Sequence, residues 1–344
     1  MIRSRKGRDE MKAMLLAAGR STRLGALGAR LPKPLVPVCG YPPIRFGLAA
    51  LVRAGLTDVV VNLHHHGDLI RAALGDGAEF GAAVTYSPEV ELLGTGGGLA
   101  QAAPLLGAGP VLVMNAKVVA DVDLRAVVQA HLASDADATL VLRDDPQAGA
   151  WGPIAADETG RVVSILGQSG GVTPVGAVVE RMFTGIQIVG ARLREGLRPV
   201  FCDTVRDGYI PALRAGANIR AFVLDGYFAE HSTPERYLAG NLALLRAPAL
   251  LRFPPGPLDG IDATAFVDPT ALLVPPVRIG AGAYVGAGAV VGPDVVLGAG
   301  ASVGARVRLS SAVVWSDATA VADAHRAVVT GEGVVAVETA SAPG

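Results

Sequence analysis

Charged residues and cysteines are both scarce in this sequence. Asp, Glu, Lys and Arg make up 18% of its 344 residues, and the formal net charge is −1. Without an excess of positive charge the chain lacks the usual basis for binding nucleic acid, and we expect no nucleic-acid partner. The two cysteines, Cys39 and Cys202, are too few for a disulfide framework and lack the spacing of a metal site. This usage is typical of a reducing cytoplasm, which we predict as the location.

Long apolar runs are also missing. Although 51% of the residues are hydrophobic, no uninterrupted apolar stretch is long enough to span a bilayer, so we expect no membrane partner. Residues 1–10 are basic and polar, carry no apolar stretch of signal-peptide length, and are predicted to be a disordered extension. The low charge and high hydrophobic content predict folded structure away from the ends of the chain.

Residues 11–247 alternate between two patterns. Short apolar runs predict strands at 13–18, 58–63, 83–86, 110–115, 138–143, 152–156, 161–165 and 183–189. Helices are predicted at 42–54, 67–74, 97–104, 122–133, 203–215 and 234–246. This alternation predicts βαβ units and therefore an α/β domain with a Rossmann-like, mostly parallel sheet. The run Val111–Met114 has no polar alternation, as expected of a central strand that is covered on both faces.

The C-terminal third contains a hexapeptide repeat. Large apolar residues recur every six positions, at Val267, Leu273, Ile279, Val285, Val291, Leu297, Val303, Leu309, Trp315 and Val321. This period predicts a parallel β-helix in which one residue per hexad, Trp315 among them, points into a narrow core. We therefore expect an α/β domain at 11–247, a Pro-rich linker at 248–260, the β-helix at 261–330 and a tail at 331–344.

The first predicted strand leads into a candidate phosphate-binding loop. The apolar run ends at Gly19, the turn that follows holds Arg20 and Arg23, and Lys33 comes shortly after it. A tight loop after a buried strand can offer backbone N–H groups to a phosphate, and nearby cations neutralise the phosphate charge. Neither the Walker pattern nor the Rossmann glycine fingerprint occurs in this loop.

The sequence of this loop carries a family resemblance. Leu16-Ala17-Ala18-Gly19, then Arg23-Leu24, then Pro32-Lys33-Pro34-Leu35 resembles the sugar-1-phosphate nucleotidyltransferases, also called nucleotide-sugar pyrophosphorylases. Further motifs follow in the family's order, at residues 62–65, 93–98, 183–186 and 233–237. In combining these motifs with a hexapeptide repeat, the chain is similar to the mannose-1-phosphate guanylyltransferase-like members of the family. The resemblance implies a nucleotidyltransferase domain followed by a left-handed parallel β-helix.

The resemblance also implies an activity and a set of site residues. The activity is transfer of a nucleotidyl group from a nucleoside triphosphate to a sugar-1-phosphate with Mg²⁺, which yields an NDP-sugar and pyrophosphate. Arg23 would contact the β- and γ-phosphates and Lys33 the α-phosphate or the sugar phosphate, as the catalytic residues. The nucleotide would be bound by Leu16, Ala17, Ala18, Gly19, Gly94, Thr95, Gly96 and Gly97. The sugar would be bound by Gly152, Thr184 and Gly185.

The sequence departs from the family's pattern in four places. Lys117 and Glu230 stand where two metal-binding Asp residues are expected, and Gly167-Gln168 stands where a sugar-binding Glu-Lys pair is expected. Ser21 replaces the second loop glycine. A cation in place of a hard oxygen ligand weakens a Mg²⁺ site, and it leaves Glu230 as the remaining metal ligand. The alternative function is therefore a catalytically inactive paralogue, a pseudoenzyme without a cofactor. Such a protein would bind nucleotide or nucleotide sugar, with Lys117 on a phosphate, and regulate an active nucleotidyltransferase.

Other polar residues are interpreted as structural. Asp121 or Asp123 could replace the lost metal ligand, but capping of the helix near residue 122 is the preferred interpretation. The run His64–His66 is interpreted as a loop at a strand end, because adjacent side chains of a strand face opposite sides. His325 is the sole histidine after His231, which disfavours an acyltransferase. We predict that the β-helix supports assembly, as a homo-oligomer or with an active paralogue.

Overall fold

A computed structural model describes residues 11–146 and 148–338. The predicted extension at 1–10 and the last part of the predicted tail, 339–344, lie outside the described residues. The chain divides into two compact units. The first unit contains the residues up to Arg20, with 47–118 and 122–228, and the second contains 21–46, 119–121 and the residues from Ala229 onward.

The α/β part of the chain has twelve strands and nine α-helices within the described residues. The strands are β1 (Lys12–Leu16), β2 (Asp58–Leu63), β3 (Ala83–Pro88), β4 (Val111–Asn115), β5 (Val118–Ala120), β6 (Ala138–Arg143), β7 (Ile154–Asp157), β8 (Val162–Ile165), β9 (Gln168–Ser169), β10 (Val178–Val189), β11 (Ile219–Leu224) and β12 (Phe228–Glu230). The helices are α1 (Ala26–Arg30), α2 (Pro43–Ala54), α3 (Gly67–Leu74), α4 (Gly94–Gln101), α5 (Ala103–Leu106), α6 (Leu124–Ala133), α7 (Ala191–Glu195), α8 (Ile210–Arg214) and α9 (Pro234–Arg246).

The main sheet of the first unit confirms the predicted α/β class. Strands β1 to β4 are parallel and lie in the order β3-β2-β1-β4, and β6 and β11 form another parallel pair. Strand β10 joins the two sets, antiparallel to both β4 and β6. The four apolar residues Val111–Met114 of β4 are all buried, as their unbroken apolar run predicts.

The strand order creates a switch point in the first unit. The chain leaves β1 toward β2 on one side of it, and later returns to β4 on its other side. Loops that leave two parallel strands in opposite directions open a crevice at the carboxyl ends of those strands, and ligands of open α/β sheets bind in this crevice. The residues that follow β1 and β4 are therefore the first place to look for a site.

The helix predictions are confirmed except at glycine-rich and short segments. Helix α4 starts at Gly94 rather than at residue 97, and the predicted helix at 203–215 begins as a π-helix over Thr204–Tyr209 before α8. Asp123 caps α6 as predicted, because its carboxylate accepts hydrogen bonds from the Arg125 and Ala126 N–H groups. No helix among the described residues is long and apolar enough to cross a membrane.

The second unit contains the predicted parallel β-helix. Its strands are β13 (Gly260–Ile261), β14 (Phe266–Val267), β15 (Leu272–Leu273), β16 (Val277–Ile279), β17 (Tyr284–Val285), β18 (Val290–Val291), β19 (Val295–Leu297), β20 (Ser302–Val303), β21 (Arg308–Val314), β22 (Thr319–Ala320), β23 (Ala324–Thr330) and β24 (Gly333–Ala336). Parallel pairs join Gly260 to Arg278 and Arg278 to Val296, so each coil takes three hexads. The final hairpin of β23 and β24 reaches into the segment predicted as a tail.

The predicted hexad phase is wrong after Leu309. Within β21 the repeat is one residue shorter, near Ser311, whose φ is +46°. As a result, Val314 rather than Trp315 pairs with the inward-facing Leu297. Val321 is consequently 80% exposed, and Ala320 takes the buried position. Trp315 is buried as predicted, but one position beyond the inward series. A slip of this kind leaves the apolar composition unchanged, so the period alone does not reveal it.

Candidate functional site

In the first unit, the predicted nucleotide-binding loop follows β1 at the switch point. Leu16 pairs with Asn115 of β4 on one side and with Asn62 of β2 on the other. Ala17 and Ala18 are buried and Gly19 is exposed. The Leu16 carbonyl accepts a hydrogen bond from the Ala116 N–H at 3.0 Å, which ties the loop to the turn that carries Lys117.

A buried polar network supports this loop from behind. The Asn62 Oδ1 accepts a hydrogen bond from the Ala17 N–H at 2.7 Å, and its amide nitrogen donates to Glu89 Oε1 at 2.7 Å. The second Glu89 oxygen accepts from the Leu93 N–H at 2.9 Å, immediately before α4. Both side chains are at most 5% exposed. Glu89 is not predictable as a site residue from the sequence, because nothing in its local pattern distinguishes it from a solvated loop carboxylate.

The glycines at the start of α4 pack against residues 200–202 of the same unit. A Cβ at Gly97 would lie 2.0 Å from the Val200 carbonyl oxygen, and one at Gly94 would lie 2.5 Å from that of Cys202. The Gly96 N–H also donates to the Cys202 carbonyl at 3.0 Å. The absence of side chains at these glycines therefore allows residues 200–202 to approach α4 closely, while nucleotide binding by this turn stays a prediction.

The same segment fixes the remaining residue of the turn. Thr95 Oγ1 donates to Asp203 Oδ2 at 3.1 Å and accepts from the Thr204 N–H at 2.8 Å. Burial raises the pKa of the Cys202 thiol, which makes that thiol a poor nucleophile at neutral pH. Segment 200–204 is thus a structural support for α4.

The predicted sugar-binding residues Thr184 and Gly185 lie on a bulge of β10. The register with β6 shifts between Phe183 and Gln187, and Thr184 Oγ1 anchors the bulge on the Val141 carbonyl at 2.7 Å. Gly185, with a φ of +76°, packs against the end of β4, where an added Cβ would lie 2.0 Å from Asn115 Nδ2. The bulge therefore brings the predicted sugar residues to the switch point.

Lys117 and Gly152 complete the predicted residues of the first unit. Lys117 is half-buried in the turn that follows Asn115, and the hydrogen bond from the Ala116 N–H to the Leu16 carbonyl places the backbone of this turn beside the loop after β1. Gly152 has a φ of +86°, and an added Cβ would lie 2.5 Å from Leu166 Cδ2. Gln168 Oε1 accepts a hydrogen bond from Arg214 Nη2 at 2.6 Å.

In the second unit, Arg23 and Glu230 lie together. Arg23 Nη2 is 3.7 Å from Glu230 Oε1, and the Arg23 side chain is 57% exposed. Ser232 Oγ donates a hydrogen bond to the same Glu230 oxygen. The next residue after Glu230, His231, is fully buried against Gly240 of α9, where an added Cβ would lie 2.3 Å from its Nε2.

Ser21 and Lys33 are also joined within the second unit. Ser21 adopts a φ of +57°, in the left-handed region that favours glycine, and it is buried. Its hydroxyl accepts a hydrogen bond from the Lys33 N–H at 2.8 Å. The serine at the family's glycine position therefore cross-links the loop to the lysine segment.

We expect Ser21→Ala to unfold more easily than both the wild type and Ser21→Gly, by about 1 kcal/mol in free energy of unfolding. Alanine keeps the unfavourable φ and loses the hydrogen bond to Lys33, whereas glycine loses the bond but relieves the backbone. Urea denaturation of the three proteins measures the difference. An alanine variant as stable as the wild type would contradict the role assigned to the hydroxyl.

The candidate metal-ligand carboxylates in the described part of the chain have other partners. Among the described residues, no group of three or more His, Cys, Asp or Glu side chains could hold a metal ion. Glu230, the predicted metal ligand, accepts a hydrogen bond from Ser232 and lies opposite the Arg23 guanidinium. Asp121 is not a substitute, because its carboxylate pairs with Arg252 at 2.7 Å.

The histidines have structural surroundings. His64 Nδ1 lies 3.1 Å from the Glu89 carbonyl oxygen, and His66 has a φ of +55° just before α3, so this run is a loop after β2 as predicted. His325 lies on β23, exposed, with Nδ1 2.9 Å from Ser310 Oγ.

Comparison with family models gives two matches. Residues 12–166 match the family described as nucleotidyl transferase, and residues 276–311 match the bacterial transferase hexapeptide family, with six repeats. The second match ends at the position where the hexad phase slips.

Curated relatives and solved structures agree with these matches. N-acetylmuramate alpha-1-phosphate uridylyltransferase of Neisseria meningitidis is 40% identical over 182 residues, which are 52% of this chain and 79% of the relative. Mannose-1-phosphate guanylyltransferase of Mycobacterium tuberculosis is 30% identical over 69% of this chain, and the match spans 65% of that relative. HddC from Yersinia pseudotuberculosis, also solved in complex with GMP-PN, has the same fold, with a TM-score of 0.56 at 23% identity over 67% of this chain and 97% of that one.

Proposed function

The chain belongs to the nucleotidyl transferase family, and from this premise we propose that it binds a nucleotide or nucleotide sugar with impaired Mg²⁺-dependent transfer. Lys117 carries the proposal. It follows β4 at the switch point, beside the loop after β1 and the bulge with Thr184 and Gly185. An ammonium group there favours bound phosphate and opposes a divalent cation.

Ligand binding is supported separately from catalysis. Leu16–Gly19, Arg23 and Lys33 keep the family's motif, and they remain the proposed nucleotide and phosphate ligands. In phosphoryl and nucleotidyl transfer, positioning and neutralisation of charge supply most of the catalysis. A chain that keeps its binding residues and has a lysine at one of the two expected metal-ligand positions is therefore suited to bind, and to act as a regulatory subunit of an active nucleotidyltransferase.

The second candidate is an active enzyme that makes an NDP-sugar and pyrophosphate from a nucleoside triphosphate and a sugar-1-phosphate. Its support is the identity with relatives that are named as transferases. The names of these relatives indicate which ligands to test: UTP with N-acetylmuramate-1-phosphate, and GTP with mannose-1-phosphate.

One experiment separates the two candidates. Calorimetry with UTP, GTP and the corresponding nucleotide sugars is run in Mg²⁺ and in EDTA, and pyrophosphate release is followed in parallel with both sugar phosphates. We expect binding of one nucleotide or nucleotide sugar in both buffers and no release above background. Magnesium-dependent release would establish the second candidate, and absence of binding by every ligand would overturn both.

A further inference from the structure

The segment that carries Lys33 has little secondary structure of its own. Residues 31–42 contain four prolines, which provide no backbone N–H. Apart from a short 3₁₀ turn at Lys33–Leu35 and a single bridge between Val38 and Tyr41, no strand or α-helix stabilises them. Something outside the segment must therefore hold it, and the second unit shows what does.

Tyr237 of α9 holds the end of the segment. It is fully buried, and its hydroxyl donates to the Pro37 carbonyl at 2.6 Å while it accepts from Trp315 Nε1 of the β-helix at 3.1 Å. Burial raises the pKa of Tyr237, so the hydroxyl keeps the proton that it donates. One turn further along α9, Asn241 accepts from the Cys39 N–H at 2.8 Å and donates to the Tyr237 carbonyl at 2.9 Å.

Arg30 holds the beginning of the segment. Its Nη1 donates to Thr330 Oγ1 at 2.7 Å, and its Nη2 pairs with Glu332. Thr330 is buried at the end of β23, and Glu332 lies in the turn before β24. Both ends of the lysine segment are therefore attached to α9 and the last coils of the β-helix.

We infer that Tyr237 and Trp315 are positioning residues for phosphate binding, and that the β-helix acts on ligand affinity through them. The inference rests on the proposed function, in which Lys33 binds a phosphate. A cation on a segment that is already ordered loses less conformational freedom on binding than one on a mobile segment. A change in the last coils of the β-helix would alter the Trp315–Tyr237 bond and, through it, the Tyr237–Pro37 bond. The segment that carries Lys33 would then become more or less ordered.

The test compares two tyrosines. Tyr237→Phe removes the hydroxyl that bonds to Pro37 and Trp315. The control, Tyr209→Phe, removes an equally buried hydroxyl of the first unit, which donates to Gln187 Oε1 at 2.6 Å. For each, the affinity for the nucleoside triphosphate is compared with that for its nucleoside. We expect Tyr237→Phe to weaken triphosphate binding about tenfold and nucleoside binding less than twofold. Tyr209→Phe is expected to lower the melting temperature without changing the ratio of triphosphate affinity to nucleoside affinity.

Trp315→Phe is expected to give a smaller change of the same ratio, because the Tyr237 bond to Pro37 remains. A ratio unchanged in Tyr237→Phe, or lowered equally in Tyr209→Phe, would overturn the inference. If Tyr237→Phe does not fold, Arg30→Met tests the other attachment with the same ratio. Hydrogen exchange without ligand separates this inference from the proposed function: even if no nucleotide binds, the Cys39 and Tyr41 amides must exchange faster in Tyr237→Phe or Arg30→Met.

Discussion

Lys117→Asp is expected to make nucleotide affinity depend on Mg²⁺. In EDTA the variant should bind the triphosphate at least tenfold more weakly than the wild type, because a phosphate ligand has become a like charge. In Mg²⁺ the added carboxylate supplies a metal ligand, so affinity should recover and pyrophosphate release should increase. The wild type should bind equally well in both buffers.

The size of the effect follows from Coulomb's law. Two unit charges about 4 Å apart interact by about 4 kcal/mol at an effective dielectric constant of about 20, and a tenfold change in affinity needs only about 1.4 kcal/mol. Calorimetry in the two buffers therefore resolves the change even if the ammonium lies further from the phosphate than a direct contact.

Two further variants serve as controls. Lys117→Ala removes the cation without adding a ligand, so its affinity should fall in both buffers. Lys12→Ala removes a lysine from the opposite end of the same sheet, where its Nζ donates to the Leu105 carbonyl at 3.1 Å, and should change neither affinity. If Lys117→Asp and Lys117→Ala bind alike in Mg²⁺ and in EDTA, position 117 does not hold the assigned role.

The parts of the fold that depend on local pattern could be predicted from the sequence. The unbroken apolar run Val111–Met114 identified a central strand, and the hexads identified the β-helix, because burial imposes a period that the residues must follow. The loop after Leu16 was predictable for the same reason, since a buried strand must end where a turn of small residues begins. These features also locate the carboxyl ends of β1 and β4, which define the crevice.

Features that depend on distant contacts could not be predicted. The packing of residues 200–202 against Gly94 and Gly97 was not predicted, because those residues lie far from the glycines in the sequence. Trp315 was placed in the β-helix core because a one-residue slip has no signature in the apolar period. Glu89 was missed because its partner Asn62 lies on another strand. For the glycines and for Glu89 the partner is distant in the sequence, and local pattern carries no information about it.

The Asn62–Glu89 pair is expected to tolerate exchange of its two functional groups and not the change of either one alone. Asn62→Asp places two carboxylates against each other at a buried contact, which should reduce the free energy of unfolding by about 3 kcal/mol or more. In Glu89→Gln, the new NH₂ group must face another donor, either the Asn62 amide nitrogen or the Leu93 N–H. This contact between two donors should cost about 1–3 kcal/mol.

The double variant Asn62→Asp with Glu89→Gln restores all three bonds, and only the bond between the two side chains reverses its direction. The carboxylate introduced at position 62 would still accept from the Ala17 N–H and would now also accept from the new amide at position 89, whose oxygen accepts from the Leu93 N–H. One substitution adds a negative charge and the other removes one, so the double variant keeps a single buried carboxylate and the net charge of the wild type. We therefore expect a coupling energy of about 2 kcal/mol or more in a double-mutant cycle of urea unfolding.

Nucleotide affinity should follow the same cycle, because the network holds both Ala17, in the loop after β1, and Leu93, at the start of α4. Gly98→Ala is an independent check, since its Cβ would lie 2.6 Å from Glu89 Oε1 and 2.9 Å from Asn62 Nδ2 and would force the pair apart. Additive losses in the double variant would show that the two side chains act separately. Recovery of stability without recovery of affinity would show that the network stabilises the fold but does not shape the nucleotide loop.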